Sequence, residues 1–206
     1  MDEIFEQTTV IPVLTIESVD DAIPLARALV RGGLTRLEVA LRSDAAPAAI
    51  AAIARELPDA VVGAGTLLRP ADVTRAVEAG ARFLVSPGFT PSLVAAGLAS
   101  GLPYIPGVCT PSEVVAARVL GCSLLKFFPA ASFGGPATLA AFAPVFRGVA
   151  FCPTGGITQE SAPQYLRLPN VPMVGGAWMV PSADLAARNW DRITGLARSA
   201  ANLKRG

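Results

Sequence analysis

Eight short runs rich in Val, Ile and Leu recur along the 206 residues, alternating with longer segments of helical character. That alternation restricts the chain to α/β architectures, because each apolar run needs a covering helix. Strands are expected at Val10–Thr15, Arg36–Leu41, Val61–Gly65, Phe83–Ser86, Tyr104–Pro106, Leu124–Phe128, Ala150–Pro153 and Val171–Gly175. Helices are expected at Asp20–Arg31, Ala46–Leu57, Pro70–Ala79, Pro91–Ala99, Pro111–Leu120, Ala137–Phe142, Ala162–Leu168 and Ala183–Ser199. Ser18 and Thr110 stand where helix N-caps belong. Eight such units read as a (β/α)8 barrel, a TIM barrel at the short end of the usual size range. A doubly wound open sheet gives the same alternation, but no GxGxxG follows the first strand, where Thr15-Ile16-Glu17-Ser18 stands. No linker or composition shift divides the chain, so one domain over residues 1–206 is expected, with a short leading segment at 1–9.

The sequence contains no histidine. This removes Ser-His-Asp and Cys-His nucleophile pairs, histidine zinc sites and imidazole proton shuttles. Acid–base work must fall to carboxylate, lysine, tyrosine, cysteine or water. Cys109, Cys122 and Cys152 lack any CxxC spacing and read as reduced thiols of a cytoplasmic protein. Cys152 beside a glycine-rich turn is a candidate thiol nucleophile, without a histidine to activate it. The start Met1-Asp2-Glu3-Ile4-Phe5-Glu6 is acidic, unlike a signal peptide, and no long uncharged apolar run suggests a membrane span. A net charge of +1 with no basic cluster leaves no footprint for nucleic acid. Hydrophobic residues reach 52% and charged residues only 16%, which hints at an apolar surface used in self-association.

Of seventeen basic residues fifteen are arginines, and one of the two lysines, Lys126, sits inside Leu124-Leu125-Lys126-Phe127-Phe128. Apolar surroundings disfavour a charged amine, and a neutral amine attacks ketones to form Schiff bases. Strand alternation sends Glu38 to the face opposite Leu37 and Val39, and Lys126 to the face opposite Leu125 and Phe127. If both strands line a barrel, a carboxylate and an amine share its interior. They read either as a nucleophile with its proton shuttle or as a structural ion pair, which would be costly to desolvate. Two glycine-rich stretches follow the last two strands, Pro153-Thr154-Gly155-Gly156-Ile157-Thr158 and Val174-Gly175-Gly176-Ala177-Trp178. Each alone suits a tight turn. Together, at the ends of the last two strands of a barrel, they suit an anion site built from backbone N–H groups.

Six blocks carry a family resemblance: Leu37-Glu38-Val39-Ala40-Leu41-Arg42, Val62-Gly63-Ala64-Gly65-Thr66, Ser86-Pro87-Gly88, Lys126-Phe127-Phe128-Pro129-Ala130, Phe151-Cys152-Pro153-Thr154-Gly155-Gly156-Ile157 and Gly175-Gly176-Ala177-Trp178. In this order and spacing the chain resembles the class I 2-keto-3-deoxy-6-phosphogluconate (KDPG) aldolases, a family that includes bifunctional 4-hydroxy-2-oxoglutarate (KHG) aldolases. The resemblance implies a homotrimeric barrel needing no metal and no organic cofactor, acting on a 2-keto-3-deoxy sugar acid and yielding pyruvate. It implies that Lys126 is the Schiff-base lysine and Glu38 the acid–base carboxylate. Arg42 and Thr66 then surround the pyruvate end, and Pro87 and Phe128 wall the reacting pocket. Thr154, Gly155, Gly156, Gly175, Gly176 and Ala177 form the phosphate cradle. The sequence departs from the family at Ala40, often threonine, and at Ala177, commonly serine in the cradle. Arg42 favours the gluconate substrate over a galactonate-derived epimer. The same chemistry on 4-hydroxy-2-oxoglutarate is the nearest alternative. A non-catalytic barrel that binds a phosphorylated metabolite is the remote one.

Overall fold

The computed structural model describes residues 3–206, so Met1 and Asp2 of the acidic start lie outside the described residues. The described strands are β1 (Val10–Leu14), β2 (Arg36–Ala40), β3 (Val61–Gly65), β4 (Leu84–Val85), β5 (Tyr104–Ile105), β6 (Gly107–Val108), β7 (Leu124–Phe127), β8 (Ala150–Pro153) and β9 (Val174–Gly176). All pairings are parallel. They form a curled six-stranded sheet in the order β5-β4-β3-β2-β1-β9 and a three-stranded sheet β6-β7-β8.

The expected ring of eight strands is therefore drawn differently by its hydrogen bonds. The fifth expected run is cut at Pro106 and resumes as β6. Proline has no N–H for the ladder, so pairing is interrupted at that residue. The Pro106 carbonyl still accepts from the Lys126 N–H at 2.8 Å. At the other border, a single bridge between Thr154 and Gly175 joins the end of β8 to β9.

The helices are α1 (Val19–Arg31), α2 (Ala46–Glu56), α3 (Pro70–Glu78), α4 (Pro91–Ala99), α5 (Pro111–Val119), α6 (Gly135–Val145), α7 (Ala162–Leu166), α8 (Ser182–Ala186) and α9 (Trp190–Ala201). Ser18 accepts from the Asp20 N–H to start α1, and Thr110 and Glu113 form a reciprocal box at the start of α5. The single closing helix expected at Ala183–Ser199 is two: Arg188 adopts φ +52, and the Asn189 side chain accepts from the Arg192 N–H to restart the helix.

Alternation along the strands separates two cores. Leu37, Val39, Leu125 and Phe127 belong to the large cluster formed with the helices. A smaller cluster gathers Phe5, Ile11, Phe83, Val85, Ile105, Cys152 and Met173 on the inner face of the curled sheets. Phe5, from the short 3-10 turn Glu3–Phe5, is fully buried with its ring edge against Phe83, at 5.3 Å between centroids. Among the described residues no helix is long and apolar enough to cross a membrane.

Candidate active site

With Leu37, Val39, Leu125 and Phe127 facing the helices, Glu38 on β2 and Lys126 on β7 must face inward. Lys126 Nζ donates to Glu38 Oε1 at 3.1 Å, although 88 residues separate the two in sequence. Lys126 is 4% and Glu38 3% exposed, so the pair is held away from bulk water. Burying two charges costs more than an apolar pair would, so packing stability gives no reason to keep them. Room for the carboxylate comes from Gly65 on β3, since a Cβ there would collide with Glu38 Oε1. The Phe128 ring centroid lies 5.5 Å from Lys126 Nζ.

Other groups lie around this pair at the C-terminal ends of the strands. Arg42, two residues beyond β2, donates through Nε to Thr66 Oγ1 at 3.2 Å. Thr66 follows β3 with φ +62, which is rare for a β-branched residue and tends to be kept where function demands it. Pro87 follows β4, and its carbonyl packs so tightly on Gly107 that no side chain fits at position 107. The remote candidate for a thiol nucleophile is set aside: Cys152 is register partner to Lys126 but buried. Burial, reinforced by the Glu38 carboxylate, pushes its thiol up to about 12, so it stays protonated and inert.

The two glycine-rich loops meet at the end of β8. Thr154 is buried, pairs with Gly175, and packs its hydroxyl where a Gly175 side chain would be. Gly155 and Gly156 take φ +100 and +74, a left-handed pair that turns the backbone sharply. A Gly155 side chain would press on Phe128, which ties this loop to the pocket wall. Gly176 lies under the Trp178 ring, and Ala177 between them is exposed.

Of the twelve residues singled out from the sequence, Glu38, Lys126, Gly175 and Gly176 lie within their strands and the other eight lie just beyond strand C-termini. Direct contacts join Lys126 to Glu38 and Phe128, Arg42 to Thr66, and Thr154 to Gly175. Among the described residues no hydrogen bond or ion pair joins the Arg42–Thr66 pair to Lys126. Three contributors escaped sequence reasoning. Gly65 had a signal, a glycine inside a strand, which often marks close approach by another group. The Ser86–Tyr104 hydroxyl contact at 2.6 Å, one residue before Pro87, had none, and neither did the Gln159–Trp178 bond at 2.8 Å. Among the described residues no group of three or more Cys, Asp or Glu side chains is placed to hold a metal ion.

The family profile described as "Aldolase: KDPG and KHG aldolase" matches residues 1–196. The KHG/KDPG aldolase of Escherichia coli (strain K12) is 47% identical over 191 residues, which is 93% of this chain and 90% of the relative. The 2-dehydro-3-deoxy-phosphogluconate aldolase of Zymomonas mobilis is 46% identical, covering 100% of this chain and 97% of the relative. The crystal structure of KDPG aldolase from Legionella pneumophila, with pyruvate captured as a covalent carbinolamine, superimposes with a TM-score of 0.93 at 45% identity, covering 96% of each chain. The chain with this buried Lys–Glu pair belongs to the KDPG and KHG aldolase family.

Proposed function

We propose that this chain is a class I aldolase that cleaves 2-dehydro-3-deoxy-6-phospho-D-gluconate to pyruvate and D-glyceraldehyde 3-phosphate. The observation that carries this reading is the buried Lys126–Glu38 contact at 3.1 Å. The amine can attack only after losing its proton, and Glu38 Oε1 is within reach to take it. Lys126 Nζ then adds to the C2 ketone, and the carbinolamine hydroxyl leaves as water with the proton returned by Glu38. The resulting iminium draws electrons from the C3–C4 bond as Glu38, directly or through water, takes the C4 hydroxyl proton. Glyceraldehyde 3-phosphate departs, the enamine is protonated at C3, and hydrolysis frees pyruvate and Lys126.

Arg42, braced by Thr66, holds the substrate carboxylate, and Pro87 and Phe128 wall the reacting carbons. The phosphate lies between the two loops on backbone N–H groups of Gly155, Gly156, Gly176 and Ala177, with Thr154 and Gly175 setting the floor. Ala177 supplies no hydroxyl there. Its loss costs ~1.5–3 kcal/mol of a charged hydrogen bond, which water partly restores, so phosphate is still preferred. The same chemistry on 4-hydroxy-2-oxoglutarate is a second activity, favoured by the likeness to a relative named KHG/KDPG aldolase.

In this reading the two sheets act as one closed eight-stranded barrel and residues 1–206 as one domain. Only Pro106 separates β5 from β6, and the Thr154–Gly175 bridge spans the other border. The barrel works as a homotrimer in the cytoplasm. Exposed Val77, Leu98, Val115 and Val119 on α3, α4 and α5 favour self-association, and three free cysteines suit a reducing compartment.

Incubation with pyruvate and borohydride should label Lys126 and spare Lys204. Lys126→Arg should abolish both labelling and cleavage, because guanidinium does not give up its proton. Labelling at Lys204, or an active arginine variant, would sink the assignment, and no labelling at all would favour a passive binding barrel.

A further inference from the structure

Gln159 ties together the two loops that form the proposed phosphate cradle. It lies three residues beyond Gly156, and its Oε1 accepts from Trp178 Nε1 at 2.8 Å. Its Nε2 donates to the Ser199 carbonyl of α9 at 3.3 Å. Trp178 lies two residues beyond Gly176, and its ring covers Gly176 so closely that a Cβ there would strike it. One amide therefore joins the loop after β8, the loop after β9 and the final helix. Closer to the strands the same two loops are joined by the Thr154–Gly175 bridge.

Two attachment points fix a gap better than one. Pairing of β9 with β1 ends at Gly176, so with the bridge alone the chain from Ala177 onward would be free to swing away from the loop after β8. The indole bond to Gln159 stops that swing at its outer end and presses the ring onto Gly176. Backbone N–H groups bind an anion well only when they are fixed to converge before it arrives.

We infer that Gln159, acting through Trp178, is a positioning residue that sets the spacing of the two glycine loops and with it the preference for a phosphorylated substrate. This rests on the reading of those loops as a phosphate cradle. Gln159 touches neither Lys126 nor Glu38, so its influence falls on binding of the far end of the substrate and not on the chemical step.

The test uses the full-length enzyme with Gln159→Met, which keeps the length of the side chain, and Trp178→Phe, which keeps a ring over Gly176 but removes its N–H. KM and kcat are measured with 2-keto-3-deoxygluconate with and without its 6-phosphate, and inorganic phosphate serves as a competitive inhibitor. Each variant should raise KM for the phosphorylated substrate and Ki for phosphate about three- to tenfold, the range expected for one lost hydrogen bond. Values of kcat, and KM for the unphosphorylated substrate, should stay put. The double variant should be no worse than Gln159→Met alone, which already removes the indole bond along with the one to Ser199. If the unmodified enzyme treats both substrates alike and ignores phosphate, the cradle reading fails and this inference falls with it. If it discriminates and the variants discriminate equally well, or lose affinity for both substrates alike, the brace alone is refuted.

Discussion

A methyl group at position 65 would occupy the space held by the Glu38 carboxylate, so Gly65→Ala is expected to disable proton transfer without unfolding the strand. Its kcat should drop by about 10²–10⁴-fold, as in Glu38→Gln, the range typical of a lost general acid–base. Steady-state kinetics beside circular dichroism would check this, and a Gly65→Ala enzyme of near-normal kcat would show that Glu38 has other room. A second residue-scale expectation concerns alkali. Cys152 rises from 9.0 to about 12, chiefly by burial and then by the Glu38 charge, and Tyr104 from 10.0 to about 12, chiefly by burial. Both groups keep their protons in the folded chain at pH values where the unfolded chain loses them. The stability they contribute is thus fully present below about pH 9 and lost as pH climbs toward 12. Cys152→Ala and Tyr104→Phe should each flatten that alkaline fall in denaturant titrations, and native Cys152 should resist thiol reagents at pH 8. Lys126 and Glu38 were legible because an ionisable residue in an apolar strand declares its face by alternation. Gly65 and Cys152 were not, because their effect depends on which strand lies alongside.

At the scale of elements, two helices begin on carboxylates that collect backbone N–H groups. Asp72 accepts from Leu68 and Arg69 at the start of α3, and Glu113 from Cys109 and Thr110 at the start of α5. Burial pushes both carboxyls up, but those N–H donors, with neighbouring side chains, outweigh it and hold them below their usual range. Their contribution is therefore present above the ordinary carboxylate pKa and lost as acid takes the pH down through the lowered values. Asp72→Ala and Thr110→Ala should each cost about 1 kcal/mol, roughly 2–4 °C in melting temperature. Scanning calorimetry would show it, and unchanged melting in both would mean the caps are idle. The Thr110 cap was readable in advance because cap chemistry is local. The break of β5 at Pro106 was half readable: proline marks an interruption, but the strand's resumption at Gly107 depends on β7 offering a partner. The split of the last helix at Asn189 was missed, although Asn189 is an N-cap residue type, because the left-handed Arg188 that divides the segment has no marker of its own in the sequence.

Across the whole molecule, Val119 is 81% exposed, and Leu98 on α4 and Val115 on α5 are exposed as well. Light scattering at micromolar protein is expected to report three times the chain mass, and Val119→Glu to weaken the assembly. A monodisperse monomer would mean that the apolar surplus serves the interior alone. The α/β class was legible from the alternation, because sixteen segments of two different periods leave few architectures. How the strands divide between sheets was not, because strand order rests on contacts between distant residues. That division bears on how the chain could be taken apart. Glu38 belongs to the six-stranded sheet and Lys126 to the three-stranded one, so neither sheet alone carries a complete pair. A chain opened at the exposed turn around Gly101 would put the amine on one fragment and the carboxylate on the other. Pyruvate release would then report reassembly of the two pieces, which makes this fold a natural split reporter whose signal is its own turnover.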